Sequence, residues 1–196
     1  MAALNPITHE IPAKLSAVLA LDPATQAEER LKKLLYLWLR KYFSGAAFTT
    51  RAAGGGTESK TFTACAFAMQ EDVIPENPQK PLIHLVMPDR KTRRMDNDKN
   101  HRGHDDDWTI DLMVKVPSNL SGTGMSGTSA EDVACKVAGE LEWLLSSTER
   151  ESLAEVGITR TRLTRPSILL PAGAWQMRML VFTCRTRRDQ AKQIFP

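Results

Sequence analysis

Long apolar runs, clustered cysteines and aromatic residues are all scarce in this 196-residue chain, and each shortage removes a class of explanation. The longest aliphatic run, LLYLWL at 34–39, falls far short of the ~20 residues a membrane-spanning helix needs. Cys65, Cys135 and Cys184 lack CxxC spacing, and each sits among apolar or small neighbours. That pattern suits buried thiols in a reducing compartment better than a disulfide framework or a zinc ribbon. With only 6% aromatic residues, aliphatic side chains must build most of the core. The opening MAALNPITHEIP has neither the basic start nor the apolar stretch of a secretory signal, so the expected compartment is a cytoplasm. Catalytic signatures are missing as well. The triple glycine at 54–56 is not followed by Lys-Ser/Thr, and there is no GxSxG elbow, HExxH helix or paired-carboxylate motif. His84 sits inside an apolar run, where a packed core or interface histidine is the ordinary outcome. These absences lead to a protein that is not an enzyme and carries no cofactor.

What is present is a charged, soluble composition: 42% hydrophobic, 25% charged and a formal net charge of +3. A charge that small does not by itself indicate a polyanion partner, but its placement is uneven. Arg160, Arg162, Arg165, Arg178, Arg185, Arg187 and Arg188 crowd the last forty residues, whereas acidic residues gather in the middle. The length suits a single domain over 1–196, with an N-terminal extension at 1–21.

Periodicity divides the chain into seven main elements and one short additional helix. Asp22-Pro23 can open a helix, and Leu31, Leu34, Leu35, Trp38 and Tyr42 keep helical spacing, predicting an amphipathic helix over about 24–43. Residues 44–60, with four glycines, read as a mobile loop. TFTACAFAM at 61–69, PLIHLVM at 81–87 and WTIDLMVKV at 108–116 read as strands, separated first by the proline-rich connection VIPENPQKP. PSNLSGTGMSGT at 117–128 reads as a second flexible loop. It ends in a capping box, Thr128 with Glu131 or Ser129 with Asp132, before a helix with its apolar face at Val133, Val137, Leu141 and Leu144. A short further helix at 149–155 is expected to end at Gly157, followed by strands at 158–164 and 175–187 joined by a long connection. The order α-β-β-β-α-β-β makes an α+β domain: a single mixed or antiparallel sheet of about five strands with helices on one face and long loops.

The stretch DRKTRRMDNDKNHRGHDDDW at 89–108 holds six basic and six acidic side chains. His101 and His104 with the three following aspartates include metal-ligand types. However, Gly103 between the histidines and the lack of an apolar face argue against a metal, and none is expected. Arg90, Lys91, Arg93 and Arg94, together with Arg185, Arg187 and Arg188, are competent to bind phosphate. No aromatic residues interleave with them, so sequence-specific nucleic-acid readout is not expected. Nonspecific contact with DNA stays open beside salt bridging between subunits or simple solvation. A basic first half and an acidic second half, closing on Asp105, Asp106 and Asp107, suit an arm over about 88–107 that pairs with a neighbouring surface.

The helix ending LLYLWLRKYF, the polar hairpin-like excursion before WTIDLMVKV, the helix AEDVACKVAGELEWLL and the terminal strand MRMLVFTCRTRR together resemble the tail-terminator and neck proteins of tailed bacteriophages. The resemblance covers most of 24–188 and rests on the order and texture of the elements. It implies a sheet flanked by helices and a ring, usually of six copies, that caps the tail tube and joins it to the head. The implied partners are further copies of the chain, the tail-tube protein and a head connector or head-completion protein. Genomic DNA is a transient contact and no membrane is involved. The implied location is the virion tail or neck, reached by way of the host cytoplasm. No catalytic residue, cofactor or metal is implied. A tail-tube or head-completion subunit is the neighbouring structural reading, and a nonspecific DNA-binding protein is the reading from another class.

Overall fold

The computed structural model describes residues 12–23, 25–43, 47–51, 59–63, 66–69, 79–95 and 103–189. Its elements in chain order are α1 (Pro12–Leu19), α2 (Ala27–Phe43), β1 (Ala47–Arg51), β2 (Ser59–Thr63), β3 (Ala66–Met69), β4 (Leu82–Met95), β5 (Gly103–Pro117), α3 (Ala130–Ser146), a 3-10 helix (Thr148–Val156), β6 (Ile158–Ala172) and β7 (Trp175–Asp189). Five strands form one sheet in the order β3-β4-β5-β7-β6. All neighbours in it are antiparallel except the short β3, which runs parallel to β4. The class is therefore the expected α+β. A separate antiparallel ribbon, β1 with β2, packs near α3.

Alternation on the strands decides where the helices sit. Ile83 and Leu85 on β4, Ile110, Leu112, Val114 and Val116 on β5, and Leu180, Phe182 and Cys184 on β7 point to one face and are almost wholly buried. That face meets α3, whose stripe of Val133, Ala134, Val137, Ala138, Leu141, Leu144 and Leu145 is buried, with α2 beside it. The alanines let α3 lie close to the sheet. The 3-10 helix holds α2 in place: the Trp38 indole N–H donates to the Ser152 hydroxyl at 3.1 Å, and the Tyr42 hydroxyl donates to Glu149 at 3.1 Å.

Helix boundaries follow their capping chemistry. The Ser129 hydroxyl accepts from the Asp132 N–H, so the second of the two capping options is the one used. Gly157 closes the 3-10 helix at φ 85°, a left-handed conformation that glycine adopts without steric cost. At the start of α2, the Gln26 N–H bonds to the Asp22 carbonyl and the Asp22 N–H to the Gln26 side chain. The helix proper begins at Ala27, later than the expected 24.

Several expected loops are ordered. Part of the N-terminal extension is α1, held on α2 with Leu15 and Val18 buried. The 44–60 loop contains β1 and the start of β2, because FTTR and SKTFT are rich in β-branched and aromatic residues. The expected strand 61–69 is accordingly divided between β2 and β3. Residues 117–128 form successive turns rather than a flexible loop. Met125 is fully buried at their centre, and the Thr123 and Thr128 hydroxyls donate to the Leu120 and Met125 carbonyls. The long connection expected at 165–174 is mostly strand: β6 runs to Ala172 and turns at Gly173, φ 60°, straight into β7.

Candidate interaction surface

The largest departure concerns the charged arm. Residues 88–95 and 103–107 are not an irregular loop but the continuation of β4 and β5, and β7 extends alongside them to Asp189. Residues 96–102, including His101, lie outside the described residues. β5 therefore sits between two basic strands, and register aligns Lys91 with Asp107 and Arg185, Thr92 with Asp106 and Thr186, and Arg93 with Asp105 and Arg187. Arg94 and Arg188 both stand opposite His104 in the register. For Arg93, Arg94 and Arg188 the backbone position alone is described.

An acidic strand flanked by basic ones satisfies its own charges. On the helix side, Asp106 is completely buried; the Arg90 guanidinium donates to it at 3.0 Å and the Thr92 hydroxyl at 2.7 Å. Arg90 also lies over the Trp108 ring, 4.9 Å from its centroid, and the Trp108 indole N–H donates to Thr186 at 2.8 Å. On the opposite side, Arg185 grips Asp107 with two nitrogens at 2.7 and 3.1 Å and reaches Asp105 at 3.4 Å. The bond to Asp107 holds the Arg185 guanidinium above its ordinary range. Thus Arg90 meets Asp106 on one face, and Arg185, expected in a separate basic cluster, meets Asp105 and Asp107 on the other, all within one chain. Thr92, Trp108 and Thr186 complete the site without having been singled out. Their signal was available in the period of two that puts Arg90 and Thr92, and Cys184 and Thr186, on one face.

A second basic surface lies on β6. In an unbroken strand, Arg162 and Arg165 would point to opposite faces. Register shifts between Leu163 and Arg165 and on either side of them place Arg162 opposite Thr183 and Arg165 opposite Val181, both on the face away from the helices. Arg160 holds the first irregularity at φ 51°, a left-handed conformation unusual for a side chain of its size. The Ser167 N–H donates to the Glu142 carboxylate of α3, fixing the last irregularity. All three arginines are exposed.

The same face carries Met113, Met177, Met179 and Val181, half-buried, with Ile168 exposed beside them. Burial raises the Asp111 carboxyl above its usual range, with Arg165 drawing it back, and lowers the Lys115 ammonium. His84 and Cys184 are buried, the latter with its thiol pushed up to about 12 by burial and by the Asp107 charge. Cys135 is half-buried, and Cys65 lies outside the described residues. Among the described residues, no group of three metal-ligating side chains converges, and no helix is long and apolar enough to cross a membrane.

No protein-family model matches the chain, and no curated protein matches it either.

Proposed function

We propose that the chain is a structural, non-catalytic subunit of a tailed-phage virion: a tail terminator that forms a ring, caps the tail tube and joins it to the head connector. The observation that supports this most is the sheet face turned away from the helices, where half-buried Met113, Met177 and Met179 lie beside exposed Ile168, Arg162 and Arg165. An apolar patch with a charged border suits a subunit that must meet further subunits on a defined surface.

Native mass spectrometry of the purified protein, alone and with tail tubes, tests the reading. A closed oligomer, or tubes whose growth stops when the protein is added, is the expected result. A monomer under both conditions rejects it. The DNA-binding alternative is weakened by the engagement of Arg90 and Arg185 with carboxylates, which leaves them fewer donors for phosphates.

A further inference from the structure

The two sides of the molecule differ in chemistry and complement each other. The sheet side presents Met113, Met177 and Met179 beside Arg162 and Arg165. The helix side presents Trp143, 49% exposed on α3, with uncrowded Gly139 one turn earlier. Along α3 and the 3-10 helix Glu131, Glu140, Glu151 and Glu155 are exposed, Glu140 one turn before Trp143, with Lys136 the one exposed cation on α3. Neither these four glutamates nor Arg160, Arg162 and Arg165 form an ion pair among the described residues. Trp143 is a large aromatic left in water, and the opposite face offers flexible thioethers, which pack favourably against aromatic rings. Cations predominate beside the thioethers, and acids predominate on the side that carries the indole.

We propose that the methionine-arginine sheet face of one copy receives the Trp143 side of the next copy. The occupant is a second copy because the matching apolar anchor and the opposite charge both lie on this same chain. Because the two surfaces are on opposite sides of one subunit, the contact is head-to-tail, and repeating it closes a ring or extends a filament rather than ending at a two-fold dimer. The inference deepens the ring reading above and rests on it by naming the faces that meet. The half-buried Asp111 and Lys115 lie within the sheet surface and would be further desolvated by the contact.

The test uses full-length chains with Cys65→Ser and Cys135→Ser, one batch carrying Trp143→Cys and the other Met179→Cys, mixed and oxidised. Disulfide-linked dimer should form in the mixture and not in either batch alone. Linkage within the Trp143→Cys batch would mean a two-fold contact and overturn the proposal. Absence of linkage while the unaltered protein still forms a closed oligomer would overturn it and leave the ring reading standing. A monomer-only result for the unaltered protein with tubes present would sink both. As an independent measure that keeps the apolar surfaces intact, Arg162→Glu with Arg165→Glu should raise the concentration needed for half-assembly on the order of tenfold, more at low salt. An unchanged midpoint would overturn the charge matching.

Discussion

The same three strands, β4, β5 and β7, build two unlike halves of one sheet. In the half packed on α3, register is held by burial: a slip of one residue would turn Leu112 and Val114 out of the core and bring Asp111 and Met113 in. In the far half there is little apolar pattern to hold register, and charge does it. A slip there would move Asp106 away from Arg90 and Thr92, and would carry Asp107 from beside Arg185. Hydrophobic alternation and cross-strand charge alternation therefore do the same geometric job in two dielectric settings, and the difference in strength between them is measurable.

The largest effect is expected in the apolar half. Leu112→Ala, at a fully buried position, should cost about 3 kcal/mol through lost burial and a residual cavity, read as a lower midpoint in urea unfolding. Asp106→Ala should cost less, about 2 kcal/mol, because it removes a buried carboxylate and leaves the Thr92 hydroxyl and Arg90 guanidinium without that acceptor. Hydrogen exchange should place that loss in 89–95 and 103–108 while the amides of α3 stay protected. Equal loss in both regions would mean that the halves are one cooperative unit. Exchanging the charges, Asp107→Arg with Arg185→Asp, should recover about 1 kcal/mol relative to the sum of the single changes, read from a double-mutant cycle. Full additivity would show that this half-exposed pair is not what sets register.

Two smaller effects concern titration. Cys184, with its thiol pushed up to about 12 by burial, should resist alkylation near pH 8 in the folded protein, while half-buried Cys135 is labelled before it. Asp111 has a folded-state pKa raised by burial, so the folded protein holds that proton more tightly than the unfolded chain does. The associated stability is present at low pH and is lost as pH rises through the carboxyl range. Asp111→Asn should flatten that segment of the stability-pH curve, with a change within about 0.5 kcal/mol at neutral pH.

The apolar half was legible in the sequence because burial writes itself as a period of two. Ile110, Leu112, Val114 and Val116 announced β5, and Val133, Val137 and Leu141 announced α3. The charged half was hidden because a strand whose partners are also charged has no hydrophobic alternation to display. Its pattern, Asp on one strand and Arg or Thr on the two beside it, exists only once the strands are aligned. β6 was cut short for another reason. Arg165-Pro166 reads as a stop, and only the register shifts show that the strand accommodates the proline by bending around it. The helix at 149–155 and its Gly157 terminus were readable because capping is a local property.

Those irregularities in β6 bear on the behaviour of the chain at high concentration. β6 and the four-residue β3 are the two rims of the sheet, where unpaired N–H and C=O groups invite another chain to add itself as a further strand. On one side β3 covers only Leu82–Leu85, so the rest of β4 to Met95 is itself the rim, and Asp89, Arg90 and Lys91 make it a poor template. The other rim is broken three times, lacks an N–H donor at Pro166 and carries arginine at 160, 162 and 165. Uncontrolled cross-β growth is therefore opposed at both rims, by charge on one and by irregularity on the other.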